Sequence, residues 1–574
     1  MCIKVLVSPL GTLIISDIMA CSKPVPGQRL SYFAEKWKQA GADPALVHLV
    51  QHGHKIKFEY GTPQLTKPRK EFETKLDEGA MNVVRKEIAV LLEKNAIRKL
   101  SWEEANKNLG HYSQIFTVPK PGGKHRVVIN MKPLNEQVQK EKFKMETAKD
   151  VRSLVKHKDF GAVVDLTDAY YTVSLHKDSR KYCRFILDNQ VYEYIALPMG
   201  LTCSARVFTR VALFIGSRLR RSGVRIVLYI DDLLVMAFSQ EQCNIHVSWL
   251  IEDIETFGFL LNSKKSSLVP TQSFQYLGLV WDTIAWQVSI KKEREEKIRN
   301  NAQQLLLADS ATCRVIATFL GRTNSAIGAI PLARARTRVL QWEFLSVCTS
   351  EDMYDEYMQI SDRVKNELQF WAHLPEGLSS PITLPEASAS LATDASETGL
   401  GILFNGHLVS EPVPEEFMDS HINVKELLTL SKFLDLFPYV SDTTITWRVD
   451  NNSALAAIRN QGSTQSWPLC SLSCSIWERC LARNILLDPV RVSSEENLVA
   501  DAASRFRHVA DWSLDTYSRQ KSVHKMGSTG RRSKGIKHVQ EVPSFLFLEQ
   551  GRYRGMYEIA SYIAIQRNSF RPGD

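Results

Sequence analysis

The chain has 574 residues, with 72 Lys and Arg against 63 Asp and Glu, and 44% of its residues are hydrophobic. That balance excludes a largely disordered or collagen-like chain, and at about 150 residues per domain the length predicts roughly three or four domains. No stretch reaches the roughly 20 uninterrupted apolar residues of a membrane-spanning helix, and a net charge of +9 favours a polyanionic partner without assigning one.

In chain order, Lys4 precedes an apolar run with the polarity of a secretory signal, but Pro9, Gly11 and Asp17 interrupt it. Residues 1–26 therefore read as an irregular N-terminal extension. A mixed segment follows over 27–75, with helical apolar spacing at Leu30, Phe33 and Trp37. From about 76 a helical pattern, VVRKEIAVLLEKNAI, leads into strand-like runs: QIFTV, HRVVI, GAVVDL, YCRFIL, YEYIAL and VRIVLYI. Residues 291–375 are long, helical and charged. The breaker PEGLSSPITLPEAS precedes a second strand-rich unit from about 390 to 506. Residues 516–540 carry seven Lys and Arg and no Asp or Glu, so 507–574 reads as a basic, flexible tail. Ten cysteines without regular pairing read as reduced, intracellular thiols. Cys470, Cys474 and Cys480 lack the Cys-x-x-Cys pair or spaced His of a zinc site and fit a helix core instead.

The run VRIVLYIDDLLVMAF sets Asp231 and Asp232 between two apolar stretches, the pattern of a hairpin of buried strands with an acidic turn. Two carboxylates about 4 Å apart repel by roughly 4 kcal/mol at an effective dielectric near 20, so a site that ionises both needs a cation. An exposed, hydrated Asp-Asp turn is the bland alternative. In FGAVVDLTDAYYTVSL, Asp165 ends another apolar strand. If the three strands share a sheet, three hard oxygen ligands meet, a set suited to two Mg²⁺ ions about 3.5–4 Å apart in a phosphoryl displacement.

At these residues the chain resembles reverse transcriptases. YIDD at 229–232 is similar to their catalytic box and VVDLTDAYY to the preceding motif. FTVPKPGGKHRVVINMKPLN resembles the fingers hairpin, ALPMGLTCSARVFTR the block under template and nucleotide, and FGFLLNSKKSSLVPTQSFQYLGLVWD the motifs that follow, with the Leu277-Gly278 primer grip. The resemblance implies that Asp165, Asp231 and Asp232 are metal ligands and that Tyr170 is the gate against a ribose 2′-hydroxyl. It also implies that Lys124 and Arg126 cover the triphosphate, that Gly200 lies under the nucleotide, and that Lys265 serves the pyrophosphate leaving group. A solvated loop lysine beside Lys264, and a Pro-Gly-Gly hairpin tip with hydrated basic flanks, are the bland readings of those positions. Asn130-Met131-Lys132 and Met199 depart from the commoner gypsy-like pattern, the former in the direction of DIRS-like retroelements.

Downstream, SLATDASETGLGILFNG, HINVKELLTLSKFLDLF, TTITWRVDNNSALAAIRN and ENLVADAASRF place Asp394, Glu426, Asp450 and Asp501 at strand and helix ends. Singly each has a local reading: Asn423 with Glu426 as a capping arrangement, Asp450 as a helix cap. Together they resemble the four-carboxylate set of the RNase H fold in its DIRS-like version, which implies two hard cations activating water against an RNA phosphodiester. The segment 27–60 resembles the DIRS-like region before the polymerase.

The resemblance therefore implies an α+β multidomain protein, a right-hand polymerase followed by an α/β RNase H-like domain. Fingers and palm are expected over 76–290, a helical thumb and connection over 291–385, and the nuclease over 386–506. Its expected cofactor is Mg²⁺, two per active site, with Mn²⁺ as a substitute. Expected partners are an RNA or DNA template with its primer, an RNA-DNA hybrid and dNTPs, with any recombinase encoded separately and no membrane. The rival reading is a non-catalytic nucleic-acid-binding scaffold that keeps the fold, against which seven intact carboxylates argue.

Overall fold

The computed structural model describes residues 25–120 and 124–506, together with a short antiparallel pairing of Leu6–Val7 with Leu13–Ile14. The remainder of the expected N-terminal extension and the whole expected basic tail lie outside the described residues. The chain divides into two compact units between Val288 and Ser289.

The first unit is organised around a four-stranded antiparallel sheet in the order Ser267–Thr271, Phe160–Asp165, Asp232–Ala237, Arg225–Tyr229. Leu233 through Ala237 are all buried, which is why this strand reads as an unbroken apolar run rather than an alternating one. The helix Ser204–Arg221 packs on the strand Arg225–Tyr229 through Val207, Phe208, Val211, Ile215 and Leu219, a single helical face. Arg218, Arg220 and Arg221 fill its last turn, where positive charge complements the helix dipole. Gly216 permits the close approach, since a Cβ there would lie 2.3 Å from Leu228. A three-stranded sheet (Ile97–Leu100, Gln190–Tyr194, Arg184–Leu187) and the hairpin Ile115–Lys120/Lys124–Ile129 complete the strands read from the early apolar runs. Leu277 and Gly278, both at positive φ, form the two-residue turn that pairs Tyr276 with Leu279.

The segment after residue 25 belongs to this core. Trp37, fully buried on the helix Ala34–Gln39, packs on Phe214, Phe257 and Phe259 and donates its indole N–H to the Phe257 carbonyl at 3.1 Å.

In the second unit four helices come first: Lys292–Leu307, Cys313–Asn324, Arg338–Val347 and Asp362–Ala372. A five-stranded sheet follows, in the order His407–Pro412, Gly399–Phe404, Ala389–Ala395, Thr443–Val449, Ile485–Arg491. The first three strands are antiparallel and the last two run parallel to the central one. The helix Ile422–Leu436 makes the connection that parallel strands require, and Val424 through Ser431 are buried all round it. Cys470 and Cys480 are buried on the helix Trp467–Ala482, with Cys474 half-buried, as core thiols would be.

Candidate active sites

In the first unit, register brings the carboxylates together. Asp232 lies directly opposite Asp165 on one side and Tyr229 on the other, so Ile230-Asp231 is the two-residue hairpin loop and Asp232 is the first residue of the strand that leaves it. Ile230 sits at φ 55, a left-handed conformation that a β-branched residue adopts only under constraint from its surroundings. Leu166 donates its backbone N–H to the Asp231 carbonyl at 2.9 Å, which fixes the loop against the end of the Phe160–Asp165 strand. Asp165 is 7% exposed, and its Oδ1 is buried without a hydrogen-bond partner. An orphaned anionic oxygen of this kind fits a hard cation, because leaving it bare costs a few kcal/mol.

Electrostatics agree with that reading. Burial first, then the charges of Asp231 and Asp165, push Asp232 up to about 6, while Lys265 opposes the rise. Asp231 is also raised, chiefly by burial. Lys265 Nζ stands 4.0 Å from Asp165 Oδ2. Its loop is pinned to the strand: Asn262 donates its N–H to the Asp165 carbonyl at 2.8 Å, and Asp165 donates its own to Ser266 Oγ at 2.9 Å. Lys264, its neighbour, is exposed.

A cavity of about 340 Å³ adjoins these groups, lined among others by Asp168, Tyr170, Met199, Asp231, Asn262 and Lys265. Tyr170 stacks edge-on against Phe208 at 5.7 Å. Gly200 is not among the lining residues but follows Met199 at φ 90, and Asn135 holds its carbonyl at 2.8 Å. Arg126 is exposed on the hairpin strand Lys124–Ile129 and does not line the cavity. Lys124 begins that strand, and its side chain lies outside the described residues.

In the second unit Asp394 is buried one residue before the end of the strand Ala389–Ala395, Glu426 faces it from the helix Ile422–Leu436, and Asp450 follows the strand Thr443–Val449. One ligand oxygen from each lies within 4.8 Å of the others. Glu426 Oε2 is buried without a partner. Burial, followed by Asp394 and Asp450, pushes Glu426 up to about 9; burial likewise pushes Asp394 up to about 6, against a hydrogen bond from Ser504. That bond is 2.6 Å, from Ser504 Oγ to Asp394 Oδ2, and Ser494 Oγ donates to Asp450 Oδ2 at 2.9 Å. Asp501, in the first turn of Leu498–Ser504, is not in the three-membered group; Arg505 holds its Oδ1 at 2.8 Å.

The local alternatives fall away. His421, not Asn423, caps the helix that carries Glu426, and Asn451, not Asp450, caps the next. Ser494, Ser504 and Lys94, described below, are the site neighbours that sequence reasoning missed. Only Ser504 carried a signal, its place in the string ADAASR.

Residues 118–281 match the family model described as reverse transcriptase (RNA-dependent DNA polymerase). The enzymatic polyprotein of cauliflower mosaic virus (strain Strasbourg) is 24% identical over 354 residues, 58% of this chain and 48% of that polyprotein. The transposon Tf2-3 polyprotein of Schizosaccharomyces pombe is 24% identical over 246 residues, 40% of this chain and 18% of its own length. The chain thus spans about half, or less, of the length of these relatives. A solved structure of the foamy viral protease-reverse transcriptase in complex with RNA/DNA hybrid is similar at a TM-score of 0.50 and 14% identity, over 93% of this chain and 68% of that one. The fold is accordingly that of a polymerase with an RNase H-like domain, and residues 118–281 are the stretch that matches the reverse transcriptase model.

Proposed function

We propose that the chain is an RNA-directed DNA polymerase with ribonuclease H activity, encoded by a retrotransposon of the DIRS-like type. One observation carries the reading: the region that matches the reverse transcriptase model and the RNase H-like sheet each present a converging set of buried and half-buried carboxylates. The DIRS-like assignment rests on motif strings alone, INMKPLN and NLVADAASR among them. The division between Val288 and Ser289 supports the boundary between fingers and palm over 76–290 and thumb and connection over 291–385; the nuclease over 386–506 rests on its sequence strings.

Asp165, Asp231 and Asp232 are the groups that would hold Mg²⁺, or Mn²⁺ in its place. The bound ions would supply activation of the primer 3′-hydroxyl and neutralisation of charge at the transferring phosphorus. The chain's own residues do the rest. Tyr170 forms the cavity wall at the nucleotide sugar, and Gly200 lets the backbone turn beneath the base. Lys265 brings a positive charge to the side where pyrophosphate leaves. Lys124 and Arg126 offer fixed charge to the triphosphate from the hairpin. The primer oxygen bonds to the α-phosphorus as the bond to pyrophosphate breaks. In the second site Asp394, Glu426, Asp450 and Asp501 would hold the ions that activate water against the RNA strand of a hybrid. Template with primer, hybrid and dNTPs are the partners, and a recombinase would come from a separate gene product. No helix among the described residues is long and apolar enough to cross a membrane.

The test is Mg²⁺-dependent dNTP incorporation on a primed RNA template, with Asp231→Asn/Asp232→Asn as control. Incorporation by the parent and none by the variant supports the reading. A folded parent that binds primer-template yet extends nothing under Mg²⁺ or Mn²⁺ overturns it in favour of a binding scaffold.

A further inference from the structure

Asp168 is a fourth carboxylate beside the polymerase cavity, and it differs from the other three in making a close, hydrogen-bonded ion pair with a lysine. It lines the cavity with Tyr170 and Asp231. Its Oδ1 meets Lys94 Nζ at 2.8 Å, with the two side chains only 17% and 31% exposed. Lys94 comes from a distant part of the chain, at the end of the helix Glu78–Glu93.

The pair sits where the backbone is under constraint. Asp168 adopts φ 50, the left-handed region, and opens the short helix Ala169–Thr172 that carries Tyr170. Its carbonyl accepts the Tyr171 N–H at 2.9 Å. The early segment closes the arrangement: Gly27 donates its N–H to the Lys94 carbonyl and Gln28 to the Tyr171 carbonyl, each at 2.8 Å. Gly27 is pressed so close that a Cβ would lie 2.0 Å from the Asn95 carbonyl oxygen. Lys94 and the turn it grips are therefore fixed from both sides.

We propose that Lys94 is a positioning residue for the nucleotide pocket: it neutralises Asp168 beside the triphosphate and holds the left-handed turn that presents Tyr170 to the sugar. This rests on the polymerase reading. An uncompensated carboxylate at a triphosphate site repels its ligand. A turn released from its ion pair lets the cavity wall relax, and the wall is what distinguishes sugars.

The experiment is primer extension by the full chain on primed RNA, with dNTP and rNTP varied separately and primer-template affinity measured alongside. Lys94→Met is expected to raise the dNTP KM about three- to tenfold, with kcat within about twofold, and to weaken discrimination against rNTPs. Lys94→Arg should behave as the parent. Adding Asp168→Asn to Lys94→Met removes the stranded charge and keeps a residue that tolerates left-handed backbone, so the KM should return most of the way while sugar selectivity does not. Parent-like KM and selectivity in Lys94→Met overturns the proposal, as does an equal loss of nucleotide and primer-template affinity. If Lys94→Met fails to fold, the exchanged pair Lys94→Asp/Asp168→Lys decides: a KM nearer the parent than that of Lys94→Asp alone supports the pairing, and one no better overturns it. A parent that extends nothing is the separate failure of the polymerase reading.

Discussion

In the first unit the acidic groups stand on neighbouring strands of one antiparallel sheet, and a lysine stands 4.0 Å from Asp165. In the second, Asp394, Glu426 and Asp450 come from two strands and a helix, and the groups that donate to Asp394 and Asp450 are the hydroxyls of Ser504 and Ser494. A hydroxyl satisfies a lone pair without cancelling charge, whereas an ammonium does both. Burial is the first cause of the raised proton affinity in both sites, and like charges come second: Asp232 is pushed up to about 6, with Lys265 opposing the rise, but the more deeply buried Glu426 to about 9. The second cluster thus buries the carboxyl that resists ionisation most and has no lysine opposing the rise, so a divalent cation should matter more to the stability of its unit than to that of the first.

The largest expected effect separates the clusters outright. Asp231→Asn/Asp232→Asn should lower primer extension by at least about 10³-fold while leaving cleavage of labelled RNA in a hybrid near the parent's rate. Glu426→Gln should do the reverse. If either change abolished both activities, the independence of the two sites would be refuted.

Lys265 sharpens the contrast from the side of the first cluster. It lowers the proton affinity of both Asp231 and Asp232. Without it those carboxyls hold their protons to higher pH, so Lys265→Met should lose about tenfold or more in extension rate near neutrality and recover part of the loss as pH rises. A pH–rate profile whose acid limb does not move would remove Lys265 from that role.

The stability counterpart belongs to the second cluster. Glu426 and Asp394 hold protons in the folded state, up to about 9 and about 6, that they would release near 4.5 and 3.8 when unfolded. Below those ordinary values both states are protonated and the folded state keeps its full stability. As pH rises toward the folded values the unfolded chain ionises first, and stability is lost. In EDTA the melting temperature of the full chain's second unit should therefore fall between about pH 5 and pH 9, and Glu426→Gln should flatten that slope. Millimolar Mg²⁺ at the alkaline end should restore about 1–2 kcal/mol. A flat profile in the parent would mean that the cluster ionises freely.

Both clusters were legible because each acidic residue interrupts an apolar run or ends one, and strand register then determines what meets what. Asp165 and Asp232 face each other as the pairing of two buried strands demands. Contacts between distant stretches were not legible. Ser504 reaches Asp394 across 110 positions, and Lys94 reaches Asp168 across 74. No periodicity encodes such a distance, and each residue alone reads as an ordinary helix-end polar group. Trp37 shows the same boundary: its spacing predicted a helix, but the aromatic pocket formed with Phe214, Phe257 and Phe259 appears only in the folded chain.

Ser504 offers the smallest and most discriminating effect. It is fully buried, it donates to Asp394 at 2.6 Å, and its own carbonyl accepts from Ser396 Oγ at 2.7 Å. Ser504→Ala removes only the hydroxyl, so the bond from Ser396 to the Ser504 backbone carbonyl survives. Asp394 loses a donor that lowers its proton affinity, at a cost of about 1–2 kcal/mol to the ionised cluster. Hybrid cleavage should fall about three- to tenfold, more at pH 6.5 than at pH 8.5, with primer extension unchanged. A loss equal at both pH values would assign Ser504 to packing alone and leave Asp394 oriented by its strand.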